Sequence, residues 1–205
     1  MELDQELIRR IVKPPSERGV DYASLRDFLA EGKWQEADQE TSRLMRVLGR
    51  KEDDQVLWPA DIAQLPGKDL CTIDWLWEIC SNARFGFCVQ KRIWESLVDA
   101  SRGYPVNYDD LCRFGDRVGW RQQGKWLNYG ELIFNPSAPE GHLPATVFWA
   151  PRKLWMFEGG LNDFFERALS SQGSATSGYS REIFDAYVHR IDSMARRYEI
   201  IRKDN

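Results

Sequence analysis

Residues 69–94, DLCTIDWLWEICSNARFGFCVQKRIW, carry the reading that decides the fold. Trp75, Trp77, Phe85 and Phe87 fall in two helical halves joined by a short polar turn at Ser81 and Asn82. Leu70, Ile73, Leu76, Trp77 and Cys80 recur at spacings of three and four, which draws one apolar helix face, and Val89, Ile93 and Leu97 continue the pattern after the turn. Asp69 stands just before the first apolar run, where a carboxylate can accept from the unpaired N–H groups of a first helical turn. Gly86 separates two phenylalanines, and its missing side chain leaves room for a flat object or a neighbouring backbone. Taken alone, the stretch describes a helical hairpin at the centre of a core.

Working outward toward the start, Asp21 opens a helix that turns Leu25, Phe28 and Leu29 inward and stops at Gly32. Trp34 begins a second helix bearing Ala37, Thr41, Leu44, Met45 and Leu48, so two antiparallel helices joined by a tight turn are expected. A leader helix and linker occupy 1–20 and break at Pro14-Pro15, with no transit-peptide character. The charged run 50–55, with Pro59 and Pro66, marks a loop with one helical turn at most.

Toward the other end, 108–117 returns to helical spacing through Leu111, Phe114 and Val118. Residues 119–144 then hold four glycines and three prolines with no sustained period, the texture of a long irregular surface. Trp120, Trp126, Tyr129 and Phe134 within it argue against disorder. The expected domain therefore spans 21–150, followed by a helical extension at 151–205 that contains a Ser- and Gly-rich flexible linker at 170–180. In the final helix Phe184, Tyr187, Ile191, Met194, Tyr198 and Ile201 form a seam of period 3.5. That seam is expected to dock back on its own domain, or to pair with the same helix of a second subunit as an oligomer contact or with a different partner, and its short length favours docking.

A net charge of −4 supplies no electrostatic footprint for a nucleic-acid backbone. Four cysteines at 71, 80, 88 and 112 show no CxxC pair and read as reduced thiols of an intracellular protein. No transmembrane segment is expected, because no apolar run approaches the roughly 18 residues that a span needs. The two histidines, His142 and His189, stand in no nucleophile or metal pairing, and HExxH, GxSxG, Walker and GxGxxG patterns are absent. The acids of DQE at 38–40 and NYDD at 107–110 read as solvated faces or caps rather than catalytic pairs.

Four blocks in order, DYASLRDFLAEGKWQEADQET (21–41), the opening stretch (69–94), FGDRVGWR (114–121) and GKWLNYGELIFNPSAPEGHLP (124–144), resemble the Genomes-Uncoupled-Four family of porphyrin-binding proteins. The resemblance spans 21–145. It implies an all-α, compact multi-helix domain shaped like a cupped hand, here with an additional C-terminal helix. It also implies an apolar palm for protoporphyrin IX or Mg-protoporphyrin IX, and no catalysis by the protein itself. Family members stimulate magnesium chelatase in chlorophyll synthesis, so the large porphyrin-binding subunit of that enzyme is the implied partner. The implied host is a photosynthetic organism, and the implied place is the cytoplasm, or the plastid stroma where a transit peptide has been removed. Some members bind linear bilins instead, which makes a bilin-binding sensor or storage module, with a pigment such as phycocyanobilin, the alternative.

A tetrapyrrole is a flat apolar disc with propionates on one edge, and its pocket needs aromatic or aliphatic walls and a few cations at the rim. Phe85, Phe87, Val89, Trp120 and Trp126 are the candidate walls, although an ordinary core uses the same side chains. Arg84, Arg117 and Arg121 are the candidate rim, and Arg117 and Arg121 share a face if their helix runs through Gly119. Cys88 is a conditional thioether site for a bilin, and requires an accessible thiolate. His142 could ligate a central metal, but the expected role of a His in a Gly-His-Leu-Pro turn is to fix the loop by hydrogen bonds.

Overall fold

The computed structural model describes residues 14–51, 57, 59–97 and 108–145. The leader helix, the 170–180 linker and the 184–201 seam lie outside them. Among the described residues six helices run in order: α1 Ala23–Ala30, α2 Trp34–Leu48, α3 Pro59–Ala63, α4 Gly67–Cys80, α5 Phe87–Leu97 and α6 Tyr108–Val118. A two-residue β-hairpin, Arg121–Gln122 with Lys125–Trp126, and a 3-10 turn at Tyr129–Glu131 follow. The all-helical expectation thus holds for the described residues, and none of their helices is long and apolar enough to cross a membrane.

The spacing of apolar residues places the helices as read. Leu25 and Leu29 of α1 and Ala37, Thr41, Leu44, Met45 and Leu48 of α2 are buried. Helix α1 packs on α2 and α4, while α5 packs on α6. The two halves of the opening stretch therefore serve two sides of the core. Trp77 of α4 reaches α2 through its Nε1, which donates to Thr41 Oγ1 at 2.9 Å.

Two acids depart from the expectation. Helix α4 begins two residues before Asp69, with Pro66 at the capping position and no side-chain cap, since the proline ring carries no acceptor for the free N–H groups of the first turn. Asp69 is instead fully buried, and its carboxylate accepts from the Ser16 hydroxyl, the Glu17 N–H at 2.9 Å and the Tyr22 hydroxyl at 2.6 Å. It fastens 16–22 onto α4 and does not cap it. Burial beside that carboxylate raises the Tyr22 phenol far above its ordinary value. Asp38, read as part of a solvated face, is likewise fully buried. Its Oδ2 accepts from the Tyr129 hydroxyl at 2.7 Å and its Oδ1 from the Ala145 N–H at 2.6 Å, so hydrogen bonds offset the cost of withdrawing the acid from water.

The irregular surface is less irregular than its composition. Gln123 and Gly124 both have positive φ, which makes the two-residue turn of a tight hairpin. Leu127 N donates to Trp120 O at 3.0 Å and prolongs the pairing.

Candidate functional site

The candidate walls are distributed over two aromatic groups in the interior. Phe85, 0% exposed, meets Trp34 edge-on at 5.5 Å and Trp77 at 6.4 Å. Trp120, 1% exposed, stands edge-on to Phe114 at 5.5 Å, and Phe114 is edge-on to Trp94 at 5.6 Å. Such edge-to-face geometry adds about 0.5–1.5 kcal/mol per pair to simple burial. Phe87 and Val89 are buried at the start of α5, and Trp126 lies over Gly115 and beside Arg121. Trp34, Trp94 and Phe114 belong to the same groups and were not among the candidates, because helical spacing marks a buried face without telling which faces meet.

The segment 138–145 bridges the two groups. Gly141 N donates to Arg84 O at 2.9 Å, Gly86 N donates to Leu143 O at 3.0 Å, and Gln90 Nε2 donates to the carbonyls of Gly141 and Pro144, both at 2.9 Å. Arg84 completes the seam by donating from Nη2 to Ala138 O at 2.7 Å. On the other side Trp120 Nε1 donates to His142 O at 2.8 Å. A strap of backbone therefore joins the stretch that carries Phe85, Phe87 and Val89 to the one that carries Trp120.

His142 is fully buried in this strap. Its Nδ1 lies 2.7 Å from Val118 O, which can only accept, so Nδ1 carries the proton and Nε2 accepts from Ile133 N at 3.0 Å. Both ring nitrogens are engaged by the loop, which leaves neither for a central metal. Burial holds the imidazole below its ordinary value, against the opposing pull of the Val118 carbonyl. Its contribution to stability is full above the unfolded value of 6.5. It is lost as pH falls toward the lowered folded value, where the unfolded chain alone takes up the proton, with a slope of at most about 1.4 kcal/mol per pH unit. Buried Asp74, whose carboxyl is raised by desolvation, works in the opposite sense on acidification. The expected result is that urea midpoints measured from pH 7.5 down to 5.5 drop more steeply for the wild type than for His142→Phe. Parallel profiles would assign the acid loss elsewhere.

Of the three candidate rim arginines, Arg117 and Arg121 do not share a helix face. Gly119, at φ +77°, ends α6 at Val118 in the left-handed conformation that glycine adopts without a Cβ penalty. Trp120 N closes the end on Gly115 O at 2.7 Å. Arg121 consequently turns back: its Nη1 donates to Asp116 Oδ2 at 2.8 Å, its Nη2 to Gly124 O at 2.8 Å, and its guanidinium sits 5.4 Å from the Trp126 ring. It clamps the hairpin to α6. Arg117 stays on the surface with its side chain 55% exposed and Glu140 at 4.0 Å, while Glu140 pairs with Arg92 at 2.6 Å.

Cys88 is exposed on the first turn of α5. The buried Asp74 carboxylate caps that turn, accepting from Cys88 N at 3.0 Å. Local desolvation and the Asp74 charge push the thiol well above the ordinary cysteine range, which opposes the thiolate that thioether formation requires. Gly86, at φ +126°, is where close approach does occur. What approaches is Asp74, whose Oδ1 would lie 2.7 Å from an added Cβ.

The GUN4-like family model matches residues 15–159. A Ycf53-like protein of Synechocystis sp. is 30% identical over 132 residues, 63% of this chain and 52% of that protein. The Arabidopsis thaliana protein named "Tetrapyrrole-binding protein, chloroplastic" is 27% identical over 142 residues, 63% of this chain and 50% of that protein. This chain spans about half the length of the curated relatives it matches. Among solved structures, GUN4 from Chlamydomonas reinhardtii is similar with a TM-score of 0.51 at 30% identity, over 67% of this chain and 88% of that one.

Proposed function

This chain belongs to the GUN4-like family, and on that premise we propose that it is a non-catalytic tetrapyrrole-binding protein, a porphyrin carrier that stimulates magnesium chelatase in chlorophyll synthesis. The observation that carries the reading is the family match across 15–159, reinforced by a relative named for tetrapyrrole binding. Its ligand is protoporphyrin IX or the magnesium complex, and its partner is the large porphyrin-binding subunit of the chelatase. The cytoplasm or plastid stroma is the compartment that fits this role. Of the cations in the candidate set, exposed Arg117 is the best placed to meet a propionate, and Phe85, Phe87, Val89, Trp120 and Trp126 are the aromatic and aliphatic groups that a parted strap would offer to the disc. A linear bilin remains the competing ligand, held without a covalent bond because the Cys88 thiol resists ionisation.

The test is titration with deuteroporphyrin IX, its magnesium complex and phycocyanobilin, read by absorption and tryptophan emission. With nine tryptophans in the chain, porphyrin binding is expected to shift the Soret band and to quench most of the emission. An unshifted band with unquenched emission rejects the carrier reading. Saturation by the bilin alone transfers the assignment to the second ligand class.

A further inference from the structure

Asp38 is a buried acid on the apolar face of α2, beside Ala37 and Thr41. A carboxylate there is costly unless hydrogen bonds satisfy it, and two of the donors it uses come from far along the chain. Oδ2 takes the Tyr129 hydroxyl from 91 residues away and Oδ1 takes the Ala145 N–H from 107 residues away. These two donors stand at opposite ends of the segment 129–145. Between them run the strap that pairs with the backbone of Arg84 and Gly86 and the His142 ring that holds Ile133 and Val118. One carboxylate therefore fixes both ends of the segment to the helix whose Trp34 meets Phe85 edge-on.

We infer that Asp38 is a positioning residue, a latch that couples the two ends of 129–145 and sets how that segment closes on the ligand. The ligand half of this inference rests on the tetrapyrrole reading; the coupling half does not. Because both bonds share one side chain, loss of either lets the carboxylate shift and weakens the other. A bond of this charge-assisted kind corresponds to about a ten- to hundredfold change in the opening equilibrium.

Asp38→Ala removes both bonds and leaves a cavity that could prevent folding, so Tyr129→Phe is the informative variant, with Asp38→Asn as the conservative replacement that keeps an oxygen for Ala145. Hydrogen exchange of the full chain is followed at 129–145, together with the dissociation rate of deuteroporphyrin IX at a temperature where each variant is folded. In Tyr129→Phe, exchange at Ala145 is expected to quicken about ten- to hundredfold although its own acceptor is intact, with porphyrin release quickened in proportion. Asp38→Asn is expected to fall between that variant and the wild type. Wild-type protection at Ala145 in Tyr129→Phe would overturn the latch. Coupled exchange with unchanged porphyrin release would reduce Asp38 to a structural role and overturn its positioning of the ligand. Coupled exchange in a wild type that takes up no porphyrin would instead reject the carrier reading and leave the latch standing.

Discussion

Trp120→Ala is expected to lower the unfolding free energy by about 3–5 kcal/mol, the range for removing a large aromatic from a packed interior. The ring is 1% exposed and wedged edge-on against Phe114, and its Nε1 donates to the carbonyl of His142. Truncation therefore opens a cavity at the end of α6 and also leaves a strap carbonyl without its donor. Trp120→Phe restores most of the volume but not the donor, and should cost about 1 kcal/mol plus the misfit of the smaller ring. Urea unfolding at fixed pH measures both. A loss below about 1 kcal/mol for the alanine variant would mean that the indole is a spare wall held open for a ligand, not a member of the core.

Gly86→Ala is the second large effect, expected at about 3–4 kcal/mol from backbone strain together with a lost helix cap. At φ +126° an L side chain is strained whatever the space around it, and here the space is filled, since the new Cβ would stand 2.7 Å from Asp74 Oδ1. The carboxylate would have to withdraw from the first turn of α5 and leave Cys88 N without its acceptor. A double-mutant cycle separates the causes. In an Asp74→Ala background the cost of Gly86→Ala should shrink toward the backbone part alone, and an undiminished cost would show that Asp74 plays no part.

The helices were legible because their apolar residues repeat at helical spacing, and α1, α2 and α4 bury most of the residues that the spacing marks, with Phe28 and Cys80 only partly covered. Acids were misread for a common physical reason. Asp38 and Asp69 have their donors 91 and 107 residues away and 47 to 53 residues away respectively, and no local pattern announces so distant a partner. The condition for a shared face of Arg117 and Arg121, a helix continuing through Gly119, is not met, because the positive φ of that glycine ends the helix at Val118. The hairpin at 121–126 escaped notice because Gln123-Gly124 is a weaker turn signal than Asn-Gly or Asp-Gly. For the candidate site, Phe85, Trp120 and Trp126 are buried, yet the same large rings build interiors and pockets alike, and sequence spacing cannot divide them.

The bond from Ala145 N to Asp38 has a consequence for how the protein is made. Synthesis proceeds at about 5–20 residues per second, so the 107 positions between those partners correspond to about 5–20 s of translation. Throughout that interval the Asp38 carboxylate waits for the Ala145 N–H, and over its later part, once they have been made, the Gly86 N–H and the Gln90 amide wait for their acceptors in the strap. Local helices form in microseconds, whereas closure waits for the ribosome to deliver the strap. A nascent chain halted before Ala138 would carry the six described helices and both aromatic groups, but not the backbone that stitches those groups together.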